Sequence, residues 1–356
     1  MRRPGQADDG PPRPVPPAGP RPGGRNDAAP RRSTGARLPA RARLRAWAEL
    51  LRLPAVFTVP GDALAGAAAA GLRPGRGTVH AIGTSLCLYE AGMALNDWAD
   101  RDEDALDRPH RPLPSGRIPP AAALTAAVAL TAAGLLCAAR AGRRPLTVAA
   151  ALTATVWSYD LHLKHTPAAP AAMAAARALD LLLGATATAS AQPGGSLGAQ
   201  TDQPTDHTPD APGVRAAPGA QAALGAALTL AAHTYAVTAV SRHEAHGGST
   251  AVPLAALAAA AGTAAHLARD PLPGVLPGVP TSALAGLYLR TAGTPLLHAA
   301  LNPSPQLTRR AVAGGIRAMI PLQAALTARA GARLSGAALM GLAPLARRLA
   351  RKVSPT

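Results

Sequence analysis

The feature that most constrains the fold is a series of long apolar segments that recur along most of the chain. Residues 120–139, which contain the run AAALTAAVALTAAGLLCAA, carry no acidic or basic side chain. About twenty mostly apolar residues span a bilayer as a helix, and small residues suit contacts between such helices. A soluble core would also contain more aromatic mass than one Phe, four Tyr and three Trp in 356 residues. The sequence therefore predicts helices that lie in lipid.

Nine such segments follow one another, separated by polar connections. Their number predicts an all-α fold, a polytopic membrane helical bundle of about nine transmembrane helices. A further apolar stretch at 334–346 is short for a span, and two alternatives stay open for it: a helix at the membrane interface or a tenth span. The predicted spans are 53–72, 79–97, 119–139, 145–161, 169–190, 219–240, 251–268, 281–300 and 309–328.

The two ends of the chain differ in composition from the apolar middle. Residues 1–45 are rich in arginine, proline and glycine, which predicts a disordered tail, and the alternative is a polybasic segment held against anionic lipid. Residues 46–330 form the expected transmembrane domain, with 191–218 as an extramembrane loop insertion, and 331–356 form a basic C-terminal segment. The net charge of +17 comes without an aromatic or recognition motif, so we expect the lipid bilayer and not nucleic acid as a partner.

Arginines near the ends of the predicted spans indicate a protein of the cell membrane with a cytoplasmic N-terminus, since cytoplasmic loops carry an excess of basic residues. The connection ARAGRR at 139–144 goes against this orientation. In either orientation, the acidic stretch after the second span, YDLHLKHTP at 159–167 and SRHEAHGGST at 241–250 leave the membrane on the same side. We therefore expect the polar chemistry on one membrane face.

The second predicted span ends in NDWADRDEDALD, which places six of the nineteen acidic residues between positions 97 and 107. Asn96, Asp100 and Asp104 are spaced i, i+4 and i+8, so on a helix they lie on one face. Oxygen ligands on successive turns suit Mg²⁺, which binds through one or two carboxylates and completes its shell with water and substrate phosphate. The spacing indicates a site for a metal-bound diphosphate.

The loop RPHRPLPSGR follows directly, and its prolines end the helix. It carries Arg108, Arg111 and Arg117 close to the acids in sequence. Arginine forks match phosphate oxygens, so this loop would stabilise a departing pyrophosphate. The alternative is that acids and arginines simply pair across a solvated loop.

Together, NDxxDxxxD and RPxRPLPSGRI resemble the first aspartate-rich motif of the UbiA superfamily of intramembrane prenyltransferases, which includes the 4-hydroxybenzoate polyprenyltransferase type. Residues 159–185, YDLHLKHTPAAPAAMAAARALDLLLGA, are similar to a second stretch of that family, particularly of its EboC-like branch. The resemblance covers about residues 50–330. It implies an enzyme that moves an isoprenyl group from an isoprenyl diphosphate to a small, lipophilic or aromatic acceptor, with Mg²⁺ as cofactor.

The resemblance also implies roles for individual residues. The catalytic residues would be Asp100, Asp104 and Lys164. Metal would be held by Asn96, Asp97, Asp100 and Asp104. The diphosphate would be contacted by Arg111, Tyr159, Lys164 and Arg177.

Three residues stand out without the resemblance. Lys164 is the only lysine before position 352 in a chain that otherwise uses arginine, although a basic anchor at the end of a span is the alternative. Arg177 and Asp180 lie inside an apolar segment, where charges are costly, so we expect them to face a cavity and to pair.

The sequence departs from the family at the second acidic motif after the sixth span. The matching region has Ser241 and Ala245 at the usual aspartate positions, and its only acid is Glu244. Three alternatives stay open: Glu244 holds one metal ion together with a neighbouring histidine, Arg242 contacts the phosphate in place of a metal, or these side chains are merely solvated.

Two rival functions follow from these features. The first is a non-catalytic descendant that binds an isoprenoid without transferring it, which the altered second motif suggests. The second is a CDP-alcohol phosphatidyltransferase, which also uses clustered aspartates in a membrane. That class needs a D-G-x-x-A-R element ahead of its aspartate pair, and nothing like it precedes Asp97.

Overall fold

The computed structural model describes residues 39–52, 58–192, 218–245, 247–269, 280–341 and 344, which form helices and no strand. The helices are α1 (Ala40–Leu50), α2 (Val59–Ala69), α3 (Arg76–Ala99), α4 (Arg101–Asp107), α5 (Pro120–Ala141), α6 (Arg143–Ser158), a π-helical turn (Tyr159–Leu163), α7 (Ala169–Ser190), α8 (Pro218–Ser241), α9 (Ala251–Ala268), α10 (Thr281–Leu301) and α11 (Pro305–Arg329). Residues 333–341 form a further short helix.

A helix lies at each of the nine predicted spans. Within the described residues, five of these helices are long and apolar enough to cross a membrane, namely α5, α7, α8, α9 and α11. Their outer sides expose large apolar residues such as Leu136 and Leu228, as lipid-facing surfaces do in a helical membrane protein. The predicted all-α bundle is confirmed.

The boundary of the predicted N-terminal tail is different in the structure. Helix α1 begins at Ala40, so residues 40–45 of the expected disordered segment are helical. Ala46 and Leu50 are fully buried in a cluster that includes Leu95 of α3. Burial of this apolar stripe stabilises α1. The high arginine content of the segment had predicted disorder there.

Several other predicted regions lie wholly or partly outside the described residues. They are most of the N-terminal tail (1–38), the first residues of the first span (53–57), most of the loop insertion (193–217), His246, and 342–343 and 345–356 of the C-terminal segment. At the C-terminal end, the helix at 333–341 buries Leu339. The remainder of the predicted stretch 334–346 lies largely outside the described residues.

Close contacts between small residues pack α2 against α7. A Cβ atom on Gly184 would lie 2.4 Å from the Cα atom of Ala63, and one on Gly66 would lie 2.0 Å from the carbonyl oxygen of Leu181. Two helix backbones approach this closely only where side chains are absent. This contact fixes α2 beside α7 and places the acid of α2, Asp62, against the charged residues of α7.

The polar residues collect where α3, α6 and α8 end. Asp100 interrupts the helix between α3 and α4 (φ −88°, ψ 4°), although its N–H still donates to the carbonyl of Asn96 at 2.9 Å. The π-helical turn extends α6 as far as Lys164, and the guanidinium of Arg242, after α8, donates to the carbonyl of Thr166. The three polar stretches therefore converge at one end of the bundle, as predicted.

Candidate functional site

Arg111 joins two acids of the aspartate-rich stretch. Its Nη1 atom lies 2.7 Å from Oδ2 of Asp104 and 3.4 Å from Oδ1 of Asp97. Each acid has a second arginine at 3.4 Å, Arg108 for Asp104 and Arg52 for Asp97. Asp97 and Asp104 are only 4% and 3% exposed. The acids and arginines therefore do pair, with the carboxylates buried and the side chains of Arg52 and Arg108 about half exposed.

Asp100 and Asn96 face a different set of partners. Lys164 donates to Asp100, and Asn96 Nδ2 donates to Oδ1 of Asp160 at 3.3 Å. Asp160 is 4% exposed. These contacts place a lysine, an amide and two carboxylates at the point where α3 meets the π-helical turn.

The residues around Asp100 fit a magnesium ion. One oxygen each from Asp100 and Glu103 and a ring nitrogen of His165 lie within 4.8 Å of one another, and Asn96 lies one turn before Asp100. Carboxylate and amide oxygens are the ligands that Mg²⁺ prefers, whereas histidine suits it less well. Of the predicted metal ligands, Asp100 belongs to this group, and Asn96 lies one turn earlier with its amide donating to Asp160. Asp97 and Asp104 are each bound by two arginines instead.

A cavity of about 350 Å³ opens among α3, α6 and α7. Its outer end is lined by Asn96, Tyr159, Asp160 and Arg52, and apolar side chains such as Val156 line its middle. The cavity thus begins beside the Asp100 cluster and continues inward along α3. Its wall offers a polar entrance followed by an apolar passage.

The inner end of the cavity is polar again. Arg177, Asp180 and Ser85 line it. Arg177 is ion-paired with Asp62, and its Nη1 lies 4.0 Å from Oδ2 of Asp180. The other carboxylate oxygen of Asp180, Oδ1, accepts a hydrogen bond from Ser85. Gln323 donates to Asp62 at 2.7 Å. The expected cavity-facing pair of Arg177 and Asp180 is present, but Asp62 is the nearer partner of the arginine.

The two candidates of the altered second motif take different positions. Arg242 lies against the turn that carries Lys164, through its bond to Thr166. Glu244 is outside the group formed by Asp100, Glu103 and His165. Its partial burial raises the pKa of its carboxyl, while the charges of Arg309 and Arg108 act in the opposite direction.

Sequence reasoning missed four residues of this region. Asp62 lies inside a predicted span, where a charge is costly in lipid, so its position could have identified it as a functional residue. Asp160 directly follows Tyr159, and Glu103 follows Asp100 by three residues, so both were within the motifs. No feature of the sequence marks Arg52 as a site residue. Its backbone adopts a left-handed conformation (φ 48°) that non-glycine residues rarely take.

Comparisons with known proteins agree with this architecture. Residues 55–301 match the model of the UbiA prenyltransferase family. A digeranylgeranylglyceryl phosphate synthase of Methanopyrus kandleri is 35% identical over 129 residues, which is 35% of this chain and 46% of that relative. The 33 kDa chain of a bacteriochlorophyll synthase of Rhodobacter capsulatus is 67% identical over 27 residues, 8% of this chain and 9% of that one. The chain spans less than half the length of these curated relatives.

Solved structures share the fold. The apo structure of a UbiA homologue from Aeropyrum pernix has a TM-score of 0.55 at 14% identity, covering 76% of this chain and 96% of that one. A UbiA homologue from Archaeoglobus fulgidus, bound to DMAPP and Mg²⁺, has a TM-score of 0.50 at 18% identity, covering 81% and 99%. The chain is thus a multi-pass membrane protein. The family match, which extends from the start of the first predicted span into α10, confirms the resemblance: the chain belongs to the UbiA prenyltransferase family.

Proposed function

We propose that the protein is an intramembrane prenyltransferase, which moves an isoprenyl group from an isoprenyl diphosphate to a small acceptor. The observation that carries this proposal is the cavity whose polar end, lined by Asn96, lies one helical turn from the Asp100–Lys164 pair and whose walls continue as apolar helix surface. A donor with a charged diphosphate and an apolar chain matches the polar end and the apolar walls of this cavity. The names of the relatives, two kinds of synthase, support an enzyme.

The mouth of the cavity would bind the diphosphate. Mg²⁺, held by Asp100 with Glu103 and Asn96, would neutralise phosphate charge as pyrophosphate departs. Lys164 and Arg111 would contact phosphate oxygens, and their present carboxylate partners keep both cations at the mouth. Tyr159 lines the same end. The arginine distribution in the sequence favours the cytoplasmic face for this mouth.

The paired arginines give Asp97 and Asp104 a positioning role in this proposal. A carboxylate that holds two guanidinium groups fixes where their remaining N–H donors point. Asp97 would position Arg52 and Arg111, and Asp104 would position Arg111 and Arg108. These arginines would thereby supply positive charge to a site whose second motif lacks its usual aspartates.

A transfer assay tests the proposal. The full-length protein in lipid nanodiscs receives Mg²⁺, labelled isoprenyl diphosphates of several chain lengths and a membrane extract as acceptor source. The label should appear in an extractable product, and Lys164→Ala should lower the rate by about 10²- to 10³-fold, as the loss of one charge-stabilising donor does. Arg310→Ala, which removes an exposed cation, is the matched control. Binding of the donor with no labelled product from any extract would favour the non-catalytic relative instead.

A further inference from the structure

The inner end of the cavity lies far from the diphosphate end. On α3, eleven residues separate Asn96 from Ser85, which is about 16 Å at the helical rise. Gly92 lies between them, and a Cβ atom there would be 3.1 Å from Val156 and 3.8 Å from Asp160. Ser85 and Asp180 are 2% and 7% exposed and still line the cavity. The structure thus contains a second polar group of side chains deep in the bundle.

An isoprenoid chain is a poor occupant for this inner end. Apolar atoms against Ser85, Asp180 and Arg177 would displace water from these polar groups and offer them no hydrogen bonds, which costs free energy. The inner end therefore suits a ligand with a polar group of its own.

The charges at the inner end select against an anion. Two carboxylates, Asp62 and Asp180, lie beside one guanidinium, and Arg177 is already paired with Asp62. Arg52, the other arginine that lines the described cavity, is at the opposite end and paired with Asp97. A carboxylate or phosphate ligand would thus meet no unpaired cation beside Ser85. The Ser85 hydroxyl already donates to Asp180, so a hydroxyl or amino group of a ligand could donate to the carboxylate of Asp180 or to the hydroxyl oxygen of Ser85.

The length of the cavity limits the size of this ligand. Seven residues of α3 separate Gly92 from Ser85, about 10 Å, and Leu88 and Tyr89 line this interval. A ligand anchored at Ser85 would therefore reach the region below the diphosphate with one ring between its two ends. Apolar and aromatic walls suit such a ring.

From the juxtaposition of Ser85, Asp180 and Arg177 at the inner end of the cavity, we infer an acceptor-binding subsite for an uncharged, ring-sized molecule that carries a hydroxyl or amino group. This inference rests on the proposed function, because it assigns the molecule that lies between the inner end and the donor. It excludes aromatic acids and phosphorylated glycerol as the acceptor of this protein.

Binding without the donor tests the subsite. Full-length protein in nanodiscs is dialysed against labelled hydroquinone, 4-hydroxybenzoate or glycerol 1-phosphate, with empty nanodiscs as the blank. Hydroquinone should bind at least about tenfold more tightly than either anion. Asp180→Asn should weaken hydroquinone binding by about tenfold to a hundredfold, since hydrogen bonds to charged groups have this range, and Ser85→Ala should weaken it less.

The control is Glu90→Gln, which neutralises another buried acid of α3 that lies outside the lining of the cavity. It should leave hydroquinone binding unchanged. Equal or tighter binding of 4-hydroxybenzoate would overturn the subsite. The subsite would also be overturned if Asp180→Asn bound hydroquinone as tightly as the wild-type protein but preferred an isoprenyl diphosphate of a different chain length. Absence of isoprenyl diphosphate binding in the wild-type protein would instead contradict the proposed function, so the two failures are distinguishable.

Discussion

At the scale of single residues, the first acidic motif is a network of ion pairs in which Asp97 and Asp104 share one arginine and Asp100 pairs with a lysine. Arg111 bridges Asp97 and Asp104, while Lys164 engages Asp100. The carboxylates of Asp97 and Asp104 are buried while their arginine partners are partly exposed, so the loss of an arginine would leave a desolvated negative charge. The motif is therefore expected to contribute to stability as well as to ligand binding.

Asp104→Asn tests this structural contribution. The substitution leaves Arg111 and Arg108 with a weaker partner, so we expect a loss of about 1–3 kcal/mol in the free energy of unfolding. Thermal unfolding in detergent, followed by tryptophan fluorescence, measures it. Asp102→Asn is the control, because Asp102 lies two positions away with its side chain 87% exposed. Equal melting temperatures for the two variants would show that the buried pairs contribute nothing measurable.

Glu244 should give the protein a pH-dependent stability. Burial raises the pKa of its carboxyl from 4.5, so the ionised form is less favourable in the folded state than in the unfolded one. Stability relative to Glu244→Gln should therefore fall as the pH rises above about 4.5, and the two proteins should converge at lower pH. Melting temperatures of both proteins across this range provide the measurement. A difference in melting temperature between the two proteins that does not vary with pH would contradict the raised pKa of Glu244.

At the scale of helices, the site depends on how closely α2 and α7 approach. Gly184 and Gly66 allow that approach, and it brings Asp62 of α2 to Arg177 of α7. The inner end of the cavity is therefore built by a contact between two helix backbones. The hydrogen bond from Gln323 adds α11 to the same contact.

Gly184→Ala should separate these two helices. Its Cβ atom would lie 2.4 Å from the backbone of Ala63, and overpacking of this kind costs about 1–3 kcal/mol. We expect a lower melting temperature and weaker binding at the inner end of the cavity. Gly225→Ala is the matched control, because nothing lies within 4 Å of a Cβ atom at that position of α8. It should leave stability unchanged or raise it slightly through helix propensity.

At the scale of the whole molecule, the bilayer explains what the sequence could predict. In lipid every backbone polar group must be bonded within its own segment, so a long apolar run must be a helix. The bounds predicted for α7 and α9 agree with the structure for this reason. Arg52 and Asp62 could not be placed in the same way, because their partners lie 45 and 115 residues away. Such pairings arise from packing and leave no local pattern.

The most direct test of the diphosphate site is pyrophosphate release by the purified protein. The assay contains an isoprenyl diphosphate, a membrane extract and Mg²⁺. We predict release in the wild-type protein, abolition by a chelator, and a decrease of at least about 10²-fold in Asp100→Asn. Asp102→Asn should retain the wild-type rate. Release at the wild-type rate in Asp100→Asn, or in the presence of chelator, would contradict a diphosphate site at the mouth of this cavity.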